Sequence, residues 1–379
     1  VNAYRIGAAL LTAGLLASCS GGGSDKGTTI TVQTSDTECK LSANTAPAGT
    51  ITFSITNNGS KVTEFYLYRQ DGSVAAEKEN IGAGLKFDYT TKVNDGGTYI
   101  ATCKPGMVGD GIRSDFTVTG NAGKTTDPKL KQAVADYKTY VGKQADLLLA
   151  DTTRFVEAVK GGNVEQAKAL FPVARTPWEK IEPVAESFGD IDPKIDGRED
   201  DAVNGQKFTG FHRLEKDLWV SGLQPDSGAI ADQLLADVKD LVGKAKAVDH
   251  EPVAMANGAK ELLDEVVTGK STGEEDRYSH TDLWDFAANV DGAEQVITAL
   301  TPYLQEKDPK LLSTLQEKFT ALNTLLAKQK RGDGYRTFTE LQVNPGADKP
   351  ELTTEGKELT KAVDALGEPL SKVAGVVAG

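Results

Sequence analysis

Histidine is scarce in this chain: 379 residues hold three, His212, His250 and His280, all in the second half. Residues 28–120 contain none, which excludes a type-1 copper centre there, because that centre needs two imidazoles beside its thiolate. The arrangement His-Glu-x-x-His is absent, so the two imidazoles and general base of a zinc protease are missing. After residue 17 no stretch approaches the ~18 apolar residues of a membrane helix. Basic excess is lacking too, with 42 Lys and Arg against 55 Asp and Glu and a net charge of −13. That balance disfavours nucleic acid and suits cations, although solubility of an exported protein explains it equally well. Residues 25–120 hold 9 basic and 11 acidic side chains, so nearly all the acidic excess lies beyond them.

Cysteine is nearly as scarce, and its three positions are informative. Arg5, the apolar run 6–17 and Leu16-Ala-Ser-Cys19 read as a secretory signal peptide (1–19) ending in a lipobox, with Cys19 as the lipidated residue. Ser20-Gly-Gly-Gly-Ser-Asp then supplies a flexible tether over 20–27. The expected mature protein is extracytoplasmic and held to the membrane by lipid, in the periplasm or on the outer face of the cytoplasmic membrane. Cys39 and Cys103 remain, an even pair in an oxidising compartment, which favours a disulfide.

What is present divides by period. Runs 29–33, 50–56, 61–68, 85–90, 97–103 and 114–119 alternate apolar and polar residues and are rich in β-branched and aromatic types. Turn signals such as Asn57-Asn-Gly59, Asp71-Gly72 and Asn94-Asp-Gly-Gly97 separate them. About seven short strands in 28–120 predict a β-sandwich. A Gly- and Thr-rich linker (121–128) follows, and the period changes to 3.6. Helices are expected near 129–160, 163–188, 206–221, 228–248, 252–268, 281–305, 309–330 and 350–376, making 129–379 an all-α bundle. The fold class is therefore multidomain α and β.

Within the bundle, Gly210-Phe-His-Arg-Leu-Glu-Lys-Asp-Leu-Trp219 carries His212 and Glu215 at i and i+3, on one helix face. An imidazole and a carboxylate there can begin a metal site, but further ligands must come from other helices. The candidates are Glu179, Glu182 and Glu186, then Asp192 and Asp196, then Glu274, Glu275 and His280. Taken singly, each acidic residue reads as a solvated helix face. A carboxylate-rich set with one imidazole suits iron better than a thiolate-loving metal. His250, before Glu251-Pro252, reads as a surface residue, and His280 as a structural one at a helix start.

The segments Trp178-Glu-Lys-Ile-Glu-Pro-Val-Ala-Glu-Ser-Phe-Gly-Asp190, Gly210-Phe-His-Arg-Leu-Glu215 and Tyr278-Ser-His-Thr-Asp-Leu-Trp-Asp-Phe286 resemble the imelysin family, also filed as a peptidase family. Thr63-Glu-Phe-Tyr-Leu-Tyr68, Glu79-Asn-Ile-Gly-Ala-Gly84 and Cys103-Lys-Pro-Gly-Met-Val-Gly-Asp-Gly-Ile-Arg113 resemble the cupredoxin-like domain of EfeO-type iron-uptake lipoproteins, and the domain order agrees. The resemblance implies a metal site at His212 and Glu215. It offers Glu179 as the upstream carboxylate, Glu275 as the downstream one and Asp192 as a fourth, with Asp196 close behind. In the β half it leaves two readings of Cys103-x-x-x-Met107. Either Cys39 and Cys103 form a disulfide, or Cys103, Met107, Cys39 and Glu64 hold copper or iron. The implied function is capture of ferrous or ferric iron and delivery to an EfeU-like iron permease, with an EfeB-like haem peroxidase of the Dyp type as second partner. The alternatives are a metal-dependent hydrolase built on His212 and Glu215, and a carbohydrate binder using Trp178, Trp219 and Trp284 as stacking platforms.

Overall fold

A computed structural model describes residues 27–188, 191–202, 207–268, 273–345, 347 and 350–379. The expected signal peptide, Cys19 and the tether up to residue 26 lie outside the described residues. Strands β1 (Thr28–Thr34), β2 (Cys39–Leu41), β3 (Thr45–Pro47), β4 (Gly49–Asn57), β5 (Thr63–Tyr68), β6 (Val74–Ile81), β7 (Lys86–Val93), β8 (Gly97–Pro105) and β9 (Ile112–Thr119) form two sheets. Their orders are β2-β1-β4-β7 and β3-β9-β8-β5-β6. β1 runs parallel to β4 and β3 parallel to β9, and the other pairs are antiparallel. Alternation places Phe53 of one sheet against Phe65 and Phe116 of the other, at ring-centroid distances of 4.8 and 5.7 Å. This aromatic cluster is the middle of the sandwich core.

Two short edge strands and β6 escaped the sequence pattern. β2 and β3 are three residues each, too short to show a period. β6 carries Glu77-Lys-Glu79, which breaks the alternation. The helical half explains why those charges are tolerated: Lys78 is buried beside Glu261, 3.5 Å away.

The helices are α1 (Pro128–Lys160), α2 (Val164–Glu179), α3 (Asp192–Ile195), α4 (Gly210–Lys216), α5 (Ser227–Ala247), α6 (Pro252–Thr268), α7 (Asp282–Lys307), α8 (Pro309–Ala327) and α9 (Thr354–Ala378). α1 starts where Asp127 caps the amides of Lys129 and Leu130, with Pro128 in the first turn. Its buried stripe of Leu130, Ala133, Tyr137, Val141, Ala145 and Leu148 follows the helical repeat and packs on α5, α2 and α7. The helix expected over 163–188 is broken after Glu179. Pro183 follows, and Glu182–Phe188 continues as a 3-10 turn. The break itself presses on α7 where Gly292 stands: a Cβ there would meet the Lys180 carbonyl oxygen at 2.5 Å. The sandwich rests on the bundle through α6 and α9, with Asn257 Nδ2 donating to the Thr90 carbonyl at 2.9 Å.

Candidate metal centre

The C-terminal turns of α2 bury Phe171, Ala174 and Trp178, and on the same stripe sit Arg175 and Glu179, both at 0% exposure. α4 enters beside them because Gly210 takes φ 78° and lies so close to α3 that a Cβ would meet the Ile195 carbonyl oxygen at 2.3 Å. This approach brings His212 of α4 against Asp196, the residue that closes α3. The loop before α7 delivers Glu275 and Asp276, and the first turns of α7 deliver Asp285 and Asn289.

Around Arg175 five carboxylates converge. Nη1 donates to Asp196 Oδ1, Nη2 lies 2.5 Å from Glu179 Oε1, 3.3 Å from Glu275 Oε1 and 3.4 Å from Asp285 Oδ2, and Nε lies 3.6 Å from Asp276 Oδ1. His212 Nε2 lies 3.1 Å from Arg175 Nη1, 3.4 Å from Asp196 Oδ1 and 3.6 Å from Glu275 Oε1. Its other nitrogen, Nδ1, meets Glu215 Oε2 at 3.0 Å. Glu215 Oε1 in turn accepts from the amides of Tyr278 (2.9 Å) and Ser279 (2.7 Å). Both oxygens of Glu215 are therefore engaged, and it holds the imidazole with Nε2 turned to the other carboxylates. This is the relation of an outer carboxylate to a metal-binding histidine. Trp178 Nε1 fixes Asp196 Oδ2 at 2.9 Å, and Asn289 Nδ2 fixes Glu179 Oε2 at 2.9 Å. Glu275 is the outermost member, with Arg198 3.6 Å from its second oxygen.

Burial and mutual proximity set the protonation. Burial and Arg175 push the His212 imidazole down, but Glu215, Glu275 and Asp196 outweigh them and hold its pKa at about 10. Burial raises Asp276 to about 6 against the pull of Arg175, and raises Asp196 as well. Asp282, buried beside Asp276, is pushed well above the carboxylate range.

Among the described residues, two groups offer ligand atoms close enough to hold an ion: Asp196, His212 and Glu275, and His212, Glu215 and Asp276, each with atoms within 4.8 Å of one another. The donors are carboxylate oxygen and imidazole nitrogen, which suit iron. Arg175 Nε and Asp276 Oδ1 are buried without a hydrogen bond, so the cluster is not closed on itself.

The structure brings His212, Glu215, Glu179 and Glu275 together. Asp192 does not join them. It is exposed at the start of α3 and lines a cavity of about 320 Å³ between the domains, with Tyr66, Glu77, Lys104, Glu182 and Glu261. Asp196, one helical turn on, takes the place in the cluster because it sits on the inward side of α3. The Glu186 side chain lies outside the described residues. Sequence reasoning missed Arg175, Asp276, Asp285 and Asn289. The signal for three of them was a charged or amide residue within an apolar helical stripe, as Arg175 is between Phe171 and Trp178. His280 sits at φ 59°, with its carbonyl accepting from the Phe338 amide at 3.0 Å. His250 is not a surface residue: it is 5% exposed, edge-on to Tyr137 at 5.6 Å. Trp178 is fully buried and donates inward, which removes it as a stacking platform for sugar.

Of the two readings of the β half, the structure shows the disulfide, and the alternative metal set does not assemble. Cys39 of one sheet and Cys103 of the other form a disulfide, with Cα atoms 5.6 Å apart, so neither offers a thiolate. Glu64 is opposite Lys104, while the adjacent Phe65 is opposite Cys103. Pleating therefore puts Glu64 and Cys103 on different faces of the sheet. Met107 is 41% exposed. Copper does not fit these residues. Glu64 is buried, and that burial, with Glu79 nearby, raises its pKa to about 7.

Comparison with known proteins gives the same two-part division. Residues 133–373 match the imelysin family and residues 7–118 the cupredoxin-like domain. The iron uptake system component EfeO of Escherichia coli O157:H7 is 37% identical over 349 residues, covering 89% of this chain and 91% of that protein. The proteins of the same name from Escherichia coli strain K12 and Shigella boydii serotype 4 are each 36% identical over the same shares.

Proposed function

The chain belongs to the imelysin family and carries a cupredoxin-like domain ahead of its imelysin part, and from this and its likeness to EfeO proteins we propose that it is an iron-binding component of an iron uptake system. The observation that carries the proposal is the convergence of Glu179, Asp196, Glu215, Glu275, Asp276 and Asp285 on His212 and Arg175, all in the bundle interior. Burying ions costs several kcal/mol each after relaxation. A fold keeps so many together where they do something, and binding a cation is what they can do. In this reading His212 Nε2, Asp196 and Glu275 receive the iron, Glu179 backs them, and Glu215 orients the imidazole.

A carrier is favoured over a hydrolase by two features. Glu215 is committed to His212 and two backbone amides, so it is not available as a general base. The cluster is buried, with Glu275 at 9% exposure among its outermost groups, which leaves little room for a peptide. No helix among the described residues is long and apolar enough to cross a membrane. The lipid on Cys19 is the proposed anchor, an iron permease the proposed recipient, and a Dyp-type haem peroxidase the proposed second partner.

Calorimetric titration of the full chain with ferrous and ferric iron tests the reading. One iron per chain is expected. His212→Ala abolishes binding with helical content intact, and Glu215→Gln, which removes an orienting partner rather than a ligand, weakens it by roughly 10–100-fold. No iron bound by the wild type, or peptide hydrolysis with zinc, would overturn the proposal.

A further inference from the structure

Arg175 is the unanticipated element of the centre. It is fully buried and stays charged at any accessible pH. Its Nη1 is bonded to Asp196 Oδ1 and lies 3.1 Å from His212 Nε2, while Nη2 lies 3.3 Å from Glu275 Oε1. Asp196, His212 and Glu275 are also a trio able to hold a metal ion. Such an ion would lie about 2.0–2.2 Å from each donor. Nη1 stands against two of those three ligand atoms, so ion and guanidinium cannot both occupy the site, and the ion also displaces the proton on the imidazole.

A second seat for the guanidinium is already built. Nη2 already lies 2.5 Å from Glu179 and 3.4 Å from Asp285, and Nε lies 3.6 Å from Asp276. The Asp276 contact is unfinished, since Arg175 Nε and Asp276 Oδ1 are buried, face one another and lack a hydrogen bond. A movement of well under about 1 Å would close that gap to hydrogen-bond distance.

We propose that Arg175 is a built-in competitor for the cargo cation: the ion takes Asp196, His212 and Glu275 from the guanidinium, which falls back onto Glu179, Asp276 and Asp285. The inference rests on the iron-binding reading and adds a specificity rule to it. A monovalent cation already satisfies the carboxylates, so an entering ion has to exceed it in charge and in bond strength. Trivalent ions gain most, strongly bonding divalent ions less, and monovalent or weakly bonding ions are excluded. The competitor also keeps the carboxylates from repelling one another before the cargo arrives.

The test compares the full-length wild type with Arg175→Gln, using manganese(II), zinc(II) and gallium(III) as probes and iron as the reference. Removal of a competitor raises apparent affinity, so Arg175→Gln is expected to bind manganese at least about tenfold more tightly and to narrow the preference for gallium. The metal-free variant melts at a lower temperature, and added metal restores it. A merely structural arginine gives the opposite sign, with every ion bound more weakly by a folded variant, and that result overturns the inference. Should the variant not fold, nitrogen-15 spectra of the arginine side chains of the wild type decide. The Arg175 signals, assigned by their loss in Arg175→Lys, are expected to shift in step with one equivalent of diamagnetic gallium, and signals unmoved by bound gallium overturn the inference. Iron bound by the wild type together with unimproved Arg175→Gln would remove this inference alone. A wild type that binds no metal would remove the iron-binding reading and this inference with it.

Discussion

Phe53, Phe65 and Phe116 fill the middle of the sandwich, whereas Arg175, His212 and a ring of carboxylates fill the middle of the helical half. Both halves carried candidate metal ligands in their sequences, and they dispose of them in opposite ways. In the sandwich a covalent bond uses up both thiols, and the pleat sends Glu64 to the other face. In the bundle, residues from α2, the end of α3, α4, the loop before α7 and α7 itself are gathered at one point. Strand pairing fixes side chains to one face or the other and rarely concentrates them, while helices crossing at an angle can aim several ends at a common centre.

The sharpest way to break this comparison lies within α3, where two aspartates one turn apart were rival candidates. Asp196→Ala leaves Trp178 Nε1 without its buried acceptor, strips one of the five carboxylates from Arg175, and is expected to cost about 3–5 kcal/mol, the range for breaking a buried pair from one side. Asp192→Ala, at an exposed position, is expected to cost about 1 kcal/mol or less. Urea denaturation of the two variants measures both. Equal losses would mean that the cluster is not the electrostatic centre of the bundle.

The same two aspartates show how far the sequence could be read. Helix existence, the change of period at the linker and the pairing of His212 with Glu215 were legible because they are local. Choosing Asp196 over Asp192 was not, since it depends on which side of a four-residue helix faces inward, and four residues set no stripe. Arg175 was overlooked for a related reason. Alone in a sequence a charged residue reads as solvated, and only its place between Phe171 and Trp178 on an apolar stripe marks it as buried. Glu64 and Cys103 read in sequence as compatible ligands because cross-strand register is a long-range property that neither strand encodes by itself.

The sandwich offers the next test. The disulfide spans a sequence separation of 64 residues and joins the two sheets. Loop-closure entropy for a loop of that length corresponds to about 4 kcal/mol. Cys39→Ala/Cys103→Ala is expected to destabilise the β half by roughly that amount, seen as a lowered first transition in calorimetry, while iron stoichiometry stays unchanged. Loss of iron together with the disulfide would place metal chemistry in the sandwich after all and collapse the contrast between the halves.

His250 gives the smallest effect and extends the comparison to a histidine whose burial outweighs the one carboxylate, Asp249, that acts on it. Its ring nitrogens are buried without hydrogen bonds, edge-on to Tyr137, with Lys138 and Asp249 the charged groups that act on it. Burial first, then Lys138, lower its pKa to about 4, against a partial opposing pull from Asp249. His212, ringed by carboxylates, moves the other way. The unfolded chain takes up a proton on His250 near pH 6.5 and the folded chain near pH 4, so folding is undisturbed by this group above about 6.5 and loses stability as pH falls between the two. The loss approaches on the order of 3 kcal/mol at the acid end, from 1.36 kcal/mol per pKa unit. His250→Phe keeps a ring against Tyr137 and removes the titration. Urea midpoints measured from pH 7 to pH 4.5 are expected to fall less steeply for the variant than for the wild type. Parallel slopes would mean that His250 takes up its proton in the folded protein as readily as in the unfolded one, which its burial beside Lys138 argues against.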